Sequence, residues 1–309
     1  MITVIGSLNY DFIVRVERFP QPGETLHGGD VIGACGGKGA NQAYAAAKLG
    51  ADVSLIGCVG MDAHGAIMVA GLAAVGVNID GIIHRAETSS GMAMILVDAK
   101  GQNQIVVARG ANLKLTVADL EYYADRIRES SIVVAQFEVA HAVTWQALQM
   151  AHTANAITVL TPAPYEPFDP ALLKLVTYLM VNEVEAGQIS GCPVTNMESA
   201  EKSAQAIVRL GARNAIVTLG AQGAWVETES WRGQVAAPVV HAVDTVGAGD
   251  CFTGTFVARL HAGINAREAA VFACAAAAIS VTRPGAQPSV PESDEVSRML
   301  AGRSSATQH

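Results

Sequence analysis

The residues of this chain with the clearest chemical potential lie at positions 244–252, where two carboxylates flank a run of small residues. The small residues are Gly247, Ala248 and Gly249, and they leave successive backbone N–H groups free to face an anion. An Ala-rich segment with helical character follows, and a helix N-terminus favours negative charge. The loop is therefore suited to phosphate. Asp244 and Asp250 would repel phosphate, so either they are caps or one of them handles a proton or a cation.

A second glycine-rich segment, residues 33–41, precedes another predicted helix. A P-loop requires Gly, four residues and then Gly-Lys-Ser/Thr, but Ile32 occupies the first glycine position and Gly39 follows Lys38. The dinucleotide fingerprint G-x-G-x-x-G is also absent. Two interpretations remain. The segment is either a structural glycine turn or a tight backbone from which Lys38 and Asn41 contact a polyhydroxylated ligand.

The composition excludes several classes of protein. Of 309 residues, 50% are hydrophobic and 16% are charged, and the net charge of -8 without a basic cluster argues against a nucleic-acid partner. The five cysteines are widely spaced and form no Cys-x-x-Cys pair, as is typical of cytosolic proteins with reduced thiols. The longest apolar run is too short to span a bilayer, and no signal peptide is visible. We therefore expect a soluble cytoplasmic protein with no membrane partner.

Hydrophobic periodicity predicts two kinds of strand. A buried apolar strand opens the chain at residues 2–5, whereas several later segments have the pattern of strands with one exposed face or of a hairpin. These later segments are residues 11–19, 24–32, 91–97 and 104–108. We expect them to form a small β-sheet lid drawn from about residues 11–35 and 91–110.

The second half of the chain alternates strands and helices with short connections, which predicts right-handed βαβ units. We therefore expect an α/β fold with a central, mostly parallel, doubly wound sheet flanked by helices, in a single domain over residues 1–309 with a frayed tail from 303. Ligands of such sheets bind beyond the carboxyl ends of the strands. The residues that follow predicted strands there are Asn9, Asp11, Glu138, Asn182, Glu185, Gly220 and Asp250. Their coincidence predicts one shared site.

Four motifs resemble those of the ribokinase family of carbohydrate kinases, and their order and spacing fit over nearly the whole chain. They are Asn9-Tyr-Asp11, GGKGAN at residues 36–41, Asn182-x-x-Glu185 and DTVGAGD at residues 244–250. The resemblance implies a ribokinase-like fold and ATP-dependent phosphorylation of a sugar, with the primary 5-hydroxyl of D-ribose as the expected acceptor. It also implies that Asp250 is the general base. The N–H groups of Gly247, Ala248 and Gly249 would then stabilise the transferred phosphoryl group.

The resemblance further implies the remaining ligands of the site. Sugar contacts would come from Asn9, Asp11, Gly37, Lys38, Asn41 and Glu138. Asn182 and Glu185 would help to position Mg²⁺ and phosphate, although the pair could also be only a helix cap with a first-turn acid. The nucleotide would contact Thr218, Gly220, Gly223, Gly249 and Cys274. A monovalent cation such as K⁺ would bind the Asp244 side chain, the carbonyls of Val246, Ser280, Arg283 and Gly285, and the Ser289 hydroxyl.

Three positions, Thr161, Thr255 and Cys274, depart from the family pattern. They leave open a kinase of the same family that acts on another sugar, such as deoxyribose, or on a nucleoside. A non-catalytic sugar-binding module is a third alternative, but it predicts the loss of at least one of Asp250, Asn182 and Lys38, and all three are present. Because the exposed edge and apolar face of the small sheet need a partner, we expect a homodimer joined lid to lid.

Overall fold

The computed structural model describes residues 1–306, and a nine-stranded sheet forms its centre. The continuous apolar segments become strands that are covered on both faces, and all eight residues of Val53–Gly60 are buried. In spatial order the strands are β13 (Arg232–Val235), β12 (Ala224–Glu227), β11 (Asn214–Thr218), β10 (Tyr178–Asn182), β9 (Ile157–Thr161), β8 (Ile132–Gln136), β1 (Ile2–Ile5), β4 (Val53–Gly60) and β5 (Asn78–Arg85). Among the described strands of this sheet only the pairings β11–β12 and β12–β13 are antiparallel, so the predicted mostly parallel sheet is confirmed.

Helices cover both faces of the large sheet. They are α1 (Lys38–Lys48), α2 (Ala63–Ala74), α3 (Val117–Tyr122), α4 (Ala124–Arg128), α5 (His141–Thr153), α6 (Glu183–Ser190), α7 (Met197–Leu210), α8 (Ala248–His261), α9 (Ala266–Ser280) and α10 (Ser293–Ala306). Apolar residues of α1, α8 and α9 share one core with one face of the sheet, whereas α5 and α7 pack on the other face. This layering confirms the predicted α/β architecture.

A separate four-stranded sheet contains the predicted lid strands. Its order is β3 (Val31–Gly36), β2 (Asn9–Arg15), β6 (Gly91–Val97) and β7 (Asn103–Ala108). The predicted strand at 24–32 is wrong over most of its length, because the strand begins only at Val31. Gly28 and Gly29 lie just before that point, and glycine has no side chain with which to pack a strand.

The small sheet is attached to the carboxyl edge of the large one. Three residues separate the end of β1 from the start of β2 at Asn9, and only Gly37 separates the end of β3 from α1. The predicted frayed tail is wrong for residues 303–306, which continue α10, and its last three residues lie outside the described part of the chain. Within residues 1–306 we find no helix of sufficient length and hydropathy to cross a membrane.

Candidate active site

Asp250 lies in the first turn of α8 and is only 8% exposed. The N-cap of α8 is Gly247, and it has a left-handed backbone with φ of 74°. The N-cap interpretation of Asp250 is therefore wrong. Its carboxylate instead accepts hydrogen bonds from two side-chain amides of α1, Asn41 Nδ2 at 3.0 Å to Oδ2 and Gln42 Nε2 at 2.9 Å to Oδ1.

The close packing of α1 against α8 brings these amides to Asp250. At Gly254 of α8, a Cβ atom would lie 2.5 Å from the Gln42 carbonyl oxygen and 2.6 Å from Ala45 Cβ. Glycine at this position thus permits a helix approach that any side chain would prevent. The buried face of α1 also carries small side chains, those of Ala43, Ala45 and Ala46.

Lys38 and Glu138 meet at the beginning of α1. Glu138 Oε2 accepts the backbone N–H of Lys38 at 2.9 Å and also the hydroxyl of Ser7. Burial opposes the charge of the Lys38 ammonium, but the negative charges of Asp250, Glu138 and Glu185 raise its pKa above the ordinary value. Lys38 is therefore a cation under the electrostatic influence of three carboxylates from separate segments of the chain.

A cavity of about 230 Å³ opens beside Glu138, between the small sheet and the carboxyl edge of the large one. Its lining residues are Asn9, Val107, Arg109, Asn112, Glu138 and Pro164. Asn9 Oδ1 accepts a hydrogen bond from Asn112 Nδ2 at 2.8 Å. Asn112 Oδ1 also accepts the backbone N–H of Leu8 at 2.9 Å, and Asn112 Nδ2 donates to the Leu8 carbonyl at 3.1 Å. Neither Asn112 nor Arg109 was among the predicted site residues, although the small, polar residues 110–112 were already suited to lining a site. The only sequence signal was a small polar segment at the end of the hairpin.

Asp11 lies on β2, two residues after Asn9, so both side chains are on one face of the strand. Burial is the main cause that raises the pKa of its carboxyl to about 7, and the nearby charge of Glu138 adds to the effect. The Asp11 carboxyl faces Gly36, where a Cβ atom would lie 2.4 Å from Oδ2. Asp11 therefore titrates near neutral pH at the base of the small sheet.

Asn182 and Glu185 form a capping box at the beginning of α6. The side chain of Asn182 accepts the backbone N–H of Glu185 at 2.9 Å, and Glu185 Oε2 accepts that of Asn182 at 3.0 Å. Burial raises the pKa of Glu185 despite these bonds and the charge of Lys38. The helix-cap interpretation is thus correct as a description of the local geometry, while the electrostatic link to Lys38 places Glu185 in the same cluster as Asp250.

The predicted nucleotide contacts lie around the ends of β11 and α9. Thr218 Oγ1 donates to the Val181 carbonyl at 3.3 Å. At Gly220 no heavy atom lies within 4 Å of the position that a Cβ atom would occupy. Gly223 adopts φ of 92°, and a Cβ atom there would lie 2.0 Å from the Val235 carbonyl. Cys274 is buried in α9 with Sγ 3.8 Å from the same carbonyl oxygen, so it packs in the wall of this region.

The residues predicted for the monovalent cation come from two adjoining segments. Asp244 joins them, because Oδ1 accepts the N–H of Val246 at 3.0 Å and Oδ2 accepts that of Gly285 at 2.8 Å. Glycine at position 247 allows the two segments to approach closely, since a Cβ atom added there would lie 2.7 Å from Ala286 Cβ. Ser280 and Arg283 are linked by a backbone bond of 3.0 Å, and the buried Ser289 hydroxyl donates to Ala286 O at 2.7 Å. In the described residues we find no cluster of three or more His, Cys, Asp or Glu side chains suited to a metal ion.

Comparison with known proteins agrees with this geometry. The model of the pfkB family of carbohydrate kinases matches residues 1–293. The chain is 37% identical over 300 residues to ribokinase of Staphylococcus aureus, covering 96% of this chain and 99% of that protein. It is 34% identical over 301 residues to deoxyribokinase of Salmonella typhimurium, covering 97% and 98%. The structure of Arabidopsis thaliana ribokinase complexed with ribose and ATP has a TM-score of 0.89 at 31% identity and covers 97% and 98% of the two chains. This chain belongs to the pfkB family of carbohydrate kinases.

Proposed function

We propose that this protein is an ATP-dependent kinase that phosphorylates the primary 5-hydroxyl of D-ribose. The observation that carries the proposal is the position of Asp250, a buried carboxylate directly after a glycine loop at a helix N-terminus. A base and an anion-binding backbone are adjacent there, as transfer of a phosphoryl group to an alcohol requires. The similarity to ribokinases over nearly the full length supports ribose as the acceptor.

In the proposed reaction Asp250 accepts the proton of the acceptor hydroxyl while the hydroxyl oxygen attacks the γ-phosphorus of ATP. A bond forms between that oxygen and phosphorus, and the bond from phosphorus to the leaving oxygen of ADP breaks. The backbone N–H groups of Gly247, Ala248 and Gly249 stabilise the negative charge on the transferred group. Because the loop forms the beginning of α8, the helix dipole contributes in the same direction.

The sugar occupies the cavity between the small sheet and the large one. Its contacts are Asn9, Asp11, Gly37, Lys38, Asn41 and Glu138, and Asn9 and Glu138 line the cavity directly. Carboxylates and amides together suit vicinal hydroxyls, which both donate and accept. We add Asn112 to this set because it lines the same cavity and holds the amide of Asn9.

The chain's residues also fit Mg²⁺ and ATP. Mg²⁺ retains several waters and uses one or two carboxylates together with phosphate oxygens, which agrees with Glu185 and Asn182 acting through water. Mg²⁺ supplies charge neutralisation on the phosphates. Thr218, Gly220, Gly223 and Gly249 offer a backbone that a nucleotide approaches closely, whereas Cys274 serves as an apolar wall.

The two segments tied together by Asp244 suit a large monovalent cation such as K⁺. Each oxygen of Asp244 accepts one N–H and keeps lone pairs free, and the Ser289 hydroxyl donates its proton to a carbonyl and so presents its lone pairs. The carbonyls of Val246, Ser280, Arg283 and Gly285 complete an all-oxygen set. A cation bound there would support the glycine loop electrostatically, because Gly247 directly follows one of these segments and packs against Ala286 of the other.

The small sheet acts as a lid over the sugar and as the surface of a homodimer in the cytoplasm. It exposes large apolar side chains on both of its faces, and exposed apolar patches of this kind mark protein–protein contacts. They are Val31, Ile32, Met94, Ile105, Val106 and Val107.

An acceptor panel tests the function. The purified chain is assayed for ADP release with ATP, Mg²⁺ and K⁺, using D-ribose, 2-deoxy-D-ribose, D-fructose and adenosine as separate acceptors. We expect the highest kcat/KM with D-ribose. If ribose gives no turnover while another acceptor does, ribose is the wrong substrate, and if no acceptor gives turnover, the kinase assignment fails.

Deoxyribose is the second candidate. The similarity of this chain to deoxyribokinase favours it, and so does Thr161, which departs from the family pattern. Thr161 Oγ1 lies 3.3 Å from Gln42 Nε2, close to the base. A kcat/KM for 2-deoxyribose above that for ribose would establish this alternative.

A further inference from the structure

Two chains of side-chain amides converge on Asp250, one on each carboxylate oxygen. On one side Gln136 Nε2 donates to Gln42 Oε1 at 2.8 Å, and Gln42 Nε2 donates to Asp250 Oδ1 at 2.9 Å. On the other side Gln287 Nε2 donates to Asn41 Oδ1 at 3.2 Å, and Asn41 Nδ2 donates to Asp250 Oδ2 at 3.0 Å. We call these two chains the amide relays. In each of them an outer glutamine orients the inner amide that touches the carboxylate.

The relays are buried, and one of them leaves a polar atom unpaired. Gln42 and Gln136 are 0% exposed, and Gln287 is 5% exposed. Gln136 Oε1 has no hydrogen-bond partner among the described residues. Buried polar atoms are normally paired, so this orientation of the Gln136 amide has a cost in free energy, which is the unpaired Oε1 atom. With the opposite orientation its oxygen would face the oxygen of Gln42, and the Gln42 amide would lose the donor that holds it.

We propose that Gln136 and Gln287 are positioning residues that hold Asp250 in its reactive orientation through Gln42 and Asn41. The inference rests on the proposed role of Asp250 as the base. An amide beside an ionised carboxylate presents its N–H groups, but once the carboxylate is protonated, its new O–H group can bond to the carbonyl of a flipped amide. Because the carbonyls of both inner amides already accept from the outer glutamines, such a flip would break those bonds.

The relays therefore keep the same donors on Asp250 before and after proton transfer. They also connect the base to two distant parts of the fold. Gln136 is the last residue of β8, and Gln287 lies between Gly285 and Ser289 in the segment proposed for the monovalent cation. A change in that segment displaces Gln287 and, through Asn41, the Oδ2 side of the base.

The test compares Gln136→Leu and Gln287→Leu with the wild type. Leucine keeps a similar volume but offers no donor, so we expect kcat to fall about tenfold in each variant through misorientation of the base. For Gln136→Leu the dissociation constant for the sugar, measured by calorimetry, stays within about twofold, because Gln136 neither lines the cavity nor bonds a proposed sugar contact. Thr144→Val is the matched control, since the Thr144 hydroxyl bonds the backbone carbonyl of Gln136 and not its amide. The control retains wild-type kcat.

A double-mutant cycle with Asp250→Asn separates positioning from a general structural effect. If the relays act through the base, adding Gln136→Leu to Asp250→Asn lowers the residual kcat no further. An equal loss in both backgrounds, or an unchanged kcat in both single variants, overturns the proposal. Should Gln136→Leu fail to fold by circular dichroism, Gln136→Met and Gln287→Leu answer the same question. If Asp250→Asn itself keeps normal turnover, the base assignment fails independently of the relays.

Discussion

Asn41 and Asp250 are hydrogen-bonded at 3.0 Å although 209 positions separate them in the sequence. The bond connects the first turn of α1 with the first turn of α8. It therefore unites the glycine-rich motif near the beginning of the chain with the anion-binding motif near its end. The same contact orients the carboxylate on which the proposed chemistry depends, and the first prediction addresses that carboxylate.

Asp250→Asn removes the proton acceptor and keeps the shape of the side chain. We expect kcat to fall by about 10²–10⁴ because general-base catalysis typically contributes that much. Sugar binding by calorimetry persists, since the sugar contacts on β2 and α1 are unchanged. Asp294→Asn, an exposed residue of α10, is the control and keeps wild-type turnover. Near-normal turnover of Asp250→Asn would remove Asp250 from its role.

Asp11→Asn is expected to change how stability depends on pH. The folded-state pKa of Asp11 is raised to about 7, so the folded protein binds a proton that the unfolded chain releases near pH 4. The contribution of Asp11 to stability is therefore lost as pH rises from about 4 to 7, by about 1.4 kcal/mol per pH unit. Asparagine does not titrate in this range, so the free energy of unfolding of Asp11→Asn does not fall in this way as pH rises.

Urea unfolding of both proteins at pH 5 and pH 8 measures the difference. We expect Asp11→Asn to gain about 3 kcal/mol relative to wild type between these two pH values. Asp30→Asn, in the exposed segment before β3, is the control and shows no such gain. A constant difference between Asp11→Asn and wild type at both pH values contradicts the raised pKa.

Gly247→Ala and Gly249→Ala form a matched pair within one loop. At Gly247 an alanine would adopt φ of 74° with its Cβ 2.7 Å from Ala286 Cβ, whereas at Gly249 no heavy atom lies within 4 Å of an added Cβ. We expect Gly247→Ala to lose about 1–3 kcal/mol of unfolding free energy through backbone strain. Gly249→Ala keeps the stability of the wild type. Thermal unfolding compares them, and equal melting temperatures would refute the close packing of the two segments.

Val106→Lys tests the proposed dimer. Val106 is 69% exposed on β7, and a charge there is costly to bury in a lid-to-lid interface. We expect the wild type to be a dimer by light scattering and the variant to be a monomer. Val239→Lys, at a position 99% exposed outside the small sheet, leaves the dimer intact. A wild-type monomer at assay concentration, or a dimer that Val106→Lys does not affect, contradicts the proposal.

Much of the fold follows from local patterns in the sequence. A strand buried on both faces must be apolar throughout, and a strand with one wet face must alternate, so β1 and β2 could be assigned to different sheets before any contact was known. The glycines and carboxylates at 244–250 likewise predicted an anion loop, because backbone N–H groups and charge are local properties. The beginning of β3 was harder to predict, since strand pairing decides where a polar, glycine-containing segment becomes regular.

The tertiary structure decided how the site is assembled. It assigned the N-cap of α8 to Gly247 rather than Asp250, because capping depends on backbone dihedral angles that residue type does not reveal. It also brought Gln42, Gln136 and Gln287 to the base. Glutamine has no characteristic spacing, and its role arises only when α1, the end of β8 and the segment after α9 pack together. Residue types and spacing determined which chemistry the chain carries, and the packing of distant segments determined which side chains orient it.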